Sequence, residues 1–235
     1  MFVASLAAGM IWGIIPAIFK AYFNTNETLF TLMLNYVAMQ IVTFCIVYWE
    51  NPAGSNTVGI INSATRAGWL PALGGLTYGW NVLIVLAFTF GMYIYMKYSK
   101  QGYEVAVVGE SQDTARYARI NVKRTIIRTM GISGGICGIA GFLLVSGASH
   151  TISTSTAGGR GFTAIIVAWL SKFNAFVMIL VSFFLVFMEK GAIQIASQFN
   201  LNENASDVIT GIILFFILGS EFFIRYRIAF TKAHK

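Results

Sequence analysis

Few side chains in this 235-residue chain are of types that do bond chemistry, and none are spaced for it. Cys45 and Cys137 each sit inside a long apolar run. Neither has a second Cys or a His at metal-ligand spacing, and His150 and His234 are isolated, so the pattern implies no metal site and no disulfide framework. The apolar runs hold no paired acids, no HExxH and no serine–histidine arrangement, which argues against an embedded enzyme and leaves no catalytic residue to name. "GISGGICGIAG" (131–141) echoes a dinucleotide loop, but no strand precedes it. Its pairs Gly131/Gly135 and Gly134/Gly138 have the small-xxx-small spacing that lets membrane helices approach closely. "TAGGRG" (156–161) lacks the GK[ST] ending of a phosphate loop. What remains is electrostatic. Arg116, Arg119, Lys123 and Arg124 crowd into "GESQDTARYARINVKR" (109–124), in a chain that is only 11% charged.

The elements that position this segment are apolar helices. The chain is 57% hydrophobic with 20 Phe, and its mean hydropathy of +0.70 leaves too little polar surface to cover a water-soluble globule. Nearly uncharged runs at Phe2–Phe19, Leu29–Trp49, Thr77–Met96, Ile126–Ala148 and Val208–Ile224 are each long enough to cross a hydrocarbon core. Phe162–Leu170 is too short, and with Phe173–Met188 it predicts a re-entrant-like hairpin over 161–190. The expectation is an all-α polytopic bundle of about five full spans plus that hairpin, forming one transmembrane domain over 1–235.

Charge orients it. The segment 97–128 holds seven Lys or Arg (Lys97, Lys100, Arg116, Arg119, Lys123, Arg124, Arg128) against Glu104, Glu110 and Asp113, and cytoplasmic loops collect basic residues. That places 97–128 inside, Glu50–Leu76 outside, Lys20–Thr28 inside and Met1 outside. Ser149–Gly161 and Glu189–Asp207 fall outside, and Arg225, Arg227, Lys232 and Lys235 put the C-terminus in the cytoplasm. The net charge of +7 is thus a matter of topology rather than of nucleic-acid contact. The first run lacks a basic leader and an A-x-A-like cleavage site, so it reads as a span. An external start with no basic segment before it points to further spans upstream.

Within the charged stretch Ser111 suits an N-cap, and Asp113 suits the first turn of a helix. Over 112–120, Ala115 and Ala118 then share one face with Val122, while Arg116 and Arg119 share another with Lys123. Such a helix could anchor in lipid headgroups or dock a cytoplasmic partner, and composition does not choose between them.

"GYEVAVVGESQDTARYARINV" (102–122) resembles the cytoplasmic loop of permease subunits of ABC importers in the family that carries simple sugars, nucleosides and branched-chain amino acids. Gly102, Glu104, Ala106, Val108, Gly109, Ala115, Arg116, Tyr117, Ala118, Ile120 and Asn121 match its pattern. "WGIIPAIFKAYFNTNETLFTLMLNYVA" (12–38) resembles the nucleoside-type branch, and "GFTAIIVAWLSKFNA" (161–175) resembles the family's hairpin. Ser111, Gln112 and Arg119 stand where the family usually has Asn, Pro and Gly, and Ala175 where it has Pro. The family's upstream N-I-G-x-E-G motif has no match, which again suggests an N-terminally shortened chain.

The resemblance implies a multi-pass subunit of a bacterial plasma-membrane importer, most simply for nucleosides, with simple sugars or branched-chain amino acids as the alternative. It implies a second permease subunit, an extracytoplasmic substrate-binding lipoprotein, and a cytoplasmic ATPase. That ATPase holds the ATP and Mg, so this chain binds no cofactor. The residues implied for coupling to it are Gly109, Gln112, Ala115, Arg116, Tyr117, Ala118 and Ile120, with Ala115 and Ala118 on the docking face. For the substrate path, Asn35 and Gln40 within the second run and Trp80 and Asn81 at the start of the third offer rings and amides suited to a nucleoside base, although an interfacial belt position explains Trp80 and a helix–helix hydrogen bond explains Asn35 more simply. An autonomous secondary transporter or channel would need an ionisable residue within a span. Glu221 is the deepest, with Arg225 one turn on, where a structural i,i+4 pair explains it as well.

Overall fold

Short polar residues start most of the helices. Asn26, Ser99, Ser111, Asn121 and Asn174 each accept a backbone N–H two or three residues on, satisfying donors that a helix start leaves orphaned. The elements are α1 (Phe2–Phe23), α2 (Glu27–Trp49), α3 (Gly79–Tyr98), α4 (Lys100–Glu110), α5 (Gln112–Tyr117), α6 (Val122–Leu144), α7 (Arg160–Leu170) and α8 (Ala175–Gln198). A π-helical turn, Val145–Ser149, extends α6. The computed structural model describes residues 1–50, 54–55, 58–63, 65–71, 75, 78–153, 156–199, 208, 211–213, 215–216 and 219–220.

Five helices among the described residues are long and apolar enough to cross a membrane: α1, α2, α3, α6 with its π turn, and α8. The fold is the all-α polytopic bundle expected. The hairpin is present as α7 and α8, but its second arm does not stop near 190. Glu189 and Lys190 are carried through to Gln198, because Ala192, Ile193, Ile195 and Ala196 continue the apolar pattern and the single Gly191 costs only about 1 kcal/mol of helix propensity. The expected span Val208–Ile224 lies largely outside the described residues, as do Ser155, Glu221 and Arg225.

The chain forms two compact units, Met1–Gly158 with α1 to α6 and Gly159–Lys235 with α7 and α8. In the first, α1 and α6 run antiparallel with their backbones almost touching. A Cβ added at Gly13 would stand 2.7 Å from the Met130 carbonyl oxygen, and one at Gly138 would meet the Ser5 carbonyl. Gly134 lies likewise against the Gly9 carbonyl. Two small-residue stripes therefore interlock. The spacing of Gly134 and Gly138 on α6 announces such a stripe; its partner on α1, Gly9 and Gly13, emerges only from the packing. Apolar side chains are no drier against protein than against lipid tails, so this contact holds by close van der Waals packing.

The pairing also defines two ends. At one, Lys123 Nζ lies 4.5 Å from the Tyr22 ring centre, and Lys20 pairs with Glu27 at 3.5 Å across the α1–α2 turn. At the other, residues 58–63 and 65–70 of the 58–70 segment fold onto the end of α6. There the Ile61 amide donates to the His150 carbonyl (2.9 Å), the Leu70 amide to the Ser146 carbonyl (3.2 Å), and the Trp69 indole N–H to the Ile61 carbonyl (2.8 Å). The basic residues near 20 and 123 thus share one end, and the 58–70 segment holds the opposite one.

In the second unit, α7 closes with the Lys172 amide bonded to Trp169 (3.1 Å) and the Phe173 amide to Ala168 (3.1 Å), and Lys172 and Phe173 take positive φ. This closure turns the chain into Asn174, which caps α8.

Candidate functional site

The loop residues that carry the resemblance have individual physical jobs. Gly102 is buried where α4 turns back on the end of α3, and a Cβ there would run into the Met96 carbonyl. Glu104 pairs with Arg128 at 2.9 Å, both side chains being about three-quarters buried, and so ties α4 to α6. Arg128 is therefore committed to holding the loop rather than to facing a partner.

Between α4 and α6 sits α5, six residues long. The reading of a helix over 112–120 is corrected at its end. The Arg119 amide bonds to the Arg116 carbonyl (3.0 Å) and the Ile120 amide to the Ala115 carbonyl (2.9 Å), the paired closure of a Schellman motif. Its turning residue, Arg119, has φ of 57°, the left-handed region where a side chain is strained. This accounts for the glycine that the resembled family carries there. Replacing Arg119 with Gly is expected to stabilise the chain by about 1 kcal/mol, read as a higher midpoint of thermal unfolding in detergent; a lower midpoint would show that the arginine side chain matters more than its backbone.

The break at Arg119 also redistributes faces. Ala115 is fully buried against the chain's own body, whereas Ala118 is exposed and Tyr117 is 91% exposed. The expectation that Ala115 and Ala118 share an outward docking face does not hold. Val122 belongs to the next helix and is itself buried. Tyr117 is the large outward group, flanked by Arg116, which pairs with Asp113 at 3.2 Å, and by the exposed Gln112. Gly109 is exposed in open space at the end of α4, and Ile120 is half-buried.

A second feature is a cleft of about 500 Å³ between α1, α2 and α6. Its polar lining comes from Trp12, Thr31, Asn35, Ser133 and Cys137. Of the proposed path residues only Asn35 lies here. Gln40 is five positions on along α2, about 140° round the helix, and does not line the cleft. Trp80 and Asn81 begin α3 away from it; Asn81 instead packs on Gly147 of the π turn, with its Oδ1 buried and unpartnered among the described residues. Trp12 and Ser133 line the cleft beside Asn35 and are not among the residues expected from the sequence. Each looks like any other residue of an apolar span, and only the juxtaposition of α1, α2 and α6 groups them.

The sequence profile of the family described as branched-chain amino acid transport system, permease component, matches residues 1–218. The chain belongs to this family. With five helices of membrane length among the described residues, it is a multi-pass membrane chain of this family. It is 28% identical to the guanosine ABC transporter permease protein of Bacillus subtilis over 93% of this chain and 64% of that one. It is 26% identical to the nucleoside ABC transporter permease protein of Lactococcus lactis, over 99% and 66%. It is 27% identical to the glucose ABC transporter permease protein of Haloferax volcanii, over 97% and 63%. The permease chain thus spans a little under two-thirds of the length of these relatives. No solved structure matches it.

Proposed function

We propose that this chain is a membrane-spanning subunit of an ATP-driven importer for nucleosides, with α5 docking a cytoplasmic ATPase and the α1–α2–α6 cleft forming part of the substrate path. A second permease subunit and an extracytoplasmic binding protein complete the assembly in this reading, and the basic end of the bundle faces the cytoplasm. The observation that carries it is α5. A six-residue helix, capped by Ser111 and closed at Arg119, is held between two longer helices and turns a large aromatic, Tyr117, outward. Motion of a partner bound there would pass into α4 and α6, which Glu104 and Arg128 join. Rocking between two access states requires a partner that binds one of them better, and ATP-driven closure of the partner supplies that difference.

The cleft supports nucleosides over sugars. It has one indole and a few neutral polar groups in mostly apolar walls. A base can stack on Trp12 and hydrogen-bond to Asn35, whereas a hexose would leave several hydroxyls unpaired among alkyl groups. The guanosine and nucleoside relatives point the same way, and the glucose relative is the reason for a test. In cells carrying the full transporter, ATP-dependent uptake of labelled guanosine should be competed by unlabelled nucleosides and not by glucose or leucine. Trp12→Ala should weaken it about tenfold, the loss of one stacked base. Competition by glucose alone would assign the cleft to sugars.

A further inference from the structure

The inner cleft continues outward. A second cavity of about 710 Å³ lies on the same side of α1 and α6, lined among others by Ser5, Val42, Phe142, Ser146, Trp69 and His150. Gly9 and Gly138 line both. The two cavities therefore adjoin at this point of the α1–α6 seam. At its far end the 58–70 segment lies over the π turn, with the Trp69 indole and the His150 imidazole stacked at 3.9 Å and 13°.

This stack is held at a cost. His150 is in the left-handed backbone region with φ of 52°, and its Nδ1 is buried without a hydrogen-bond partner among the described residues. Strain and an unpaired buried nitrogen both favour release. Against them stand the ring contact itself, the Arg66 guanidinium 5.9 Å from the Trp69 ring centre, and the hydrogen bond from Ser146 Oγ to the Gly68 carbonyl. π turns inside helices are a recurrent mark of functional positions, because they free backbone groups from the regular ladder.

We propose that Trp69 and His150 are the outer gate of this groove, and that a planar ring of the cargo replaces the imidazole on Trp69 as the gate opens. The proposal rests on the transport reading in taking the groove as the path. The imidazole stands where a base would stack, so arrival of the cargo exchanges one ring contact for another and releases His150 from its strained position. The gate then responds to a flat aromatic cargo and not merely to thermal opening.

Cys137, exposed in the inner cleft, reports the gate directly. The full transporter, carrying Cys45→Ser, is placed in right-side-out vesicles and treated with a sulfonated, membrane-impermeant maleimide; alkylation of Cys137 is followed by mass spectrometry of this chain. Trp69→Leu and His150→Ala are each expected to speed alkylation about tenfold, the order expected on losing one aromatic contact, while Trp69→Phe stays near the parent rate. The midpoint of thermal unfolding should fall by no more than about 5 °C in any of the three, the shift that losing one contact allows in a protein of this size. Equal rates in every variant overturn the gate. A rise in Trp69→Phe as large as in Trp69→Leu, or a rise that comes with a loss of more than about 5 °C in the unfolding midpoint, also overturns it. Alkylation needs no cargo, so a transporter that shows this pattern but ignores nucleosides disproves the cargo and not the gate.

Discussion

Gly134→Leu should prevent α1 and α6 from packing and yield little folded protein. The backbones of the two helices meet at Gly9, Gly13, Gly134 and Gly138, where even a methyl group would press on a carbonyl or Cα of the other helix. Relief requires the helices to move apart, and the van der Waals contact that replaces a hydrophobic driving force in lipid is then lost along the whole pair. Overpacking of this kind costs about 1–3 kcal/mol where a side chain can shift. Here the obstacle is main chain, so a loss at the upper end, or failure to fold, is expected. Gly134→Ala should already lower the midpoint of thermal unfolding in detergent. Gly141→Ala is the control: it lies on the same helix with open space around it, and should be neutral or stabilise by up to about 1 kcal/mol. Equal effects at 134 and 141 would show that helix propensity, and not the close approach, governs these glycines.

Tyr117→Ala should release the ATPase subunit while leaving this chain stable. Tyr117 is 91% exposed on a rigid, capped helix, so it stabilises nothing within the chain and is free to bury its ring in a partner. Aromatic anchors of that kind commonly carry 2 kcal/mol or more of an interface, so co-purification of the ATPase should fall roughly thirtyfold. Ala115→Glu should behave differently. Its charge would enter the chain's own packed interior, so thermal stability falls first and any loss of ATPase follows from it. Lys123→Gln should change little, about 1 kcal/mol at most, since Lys123 lies over the Tyr22 ring at the start of α6. Loss of ATPase with Lys123→Gln but not with Tyr117→Ala would make α5 and its surroundings a lipid anchor.

Much of this was legible in the linear sequence. Uncharged runs of membrane length located the first four spans, because a helix is the element that satisfies its backbone within a hydrocarbon core. Ser111 and Asp113 marked the start of α5, since a helix start needs an acceptor and favours an acid there. The spacing of Gly134 and Gly138 announced a close contact. What spacing could not supply was the identity of the opposing surface. A period of 3.6 shows which residues share a face, not whether that face meets the same chain, lipid or a partner. Spacing alone therefore turns Ala115 outward where the fold points it in, and carries the end of α5 past Arg119, because the left-handed turn is stabilised by bonds to Arg116 and Ala115 that a non-glycine residue gives no sign of. Trp12 with Asn35, and Trp69 with His150, are brought together only when α1, α2 and α6 pack and the 58–70 segment folds back. Such pairs lie far apart along the chain, and the contact between them is a property of packing alone.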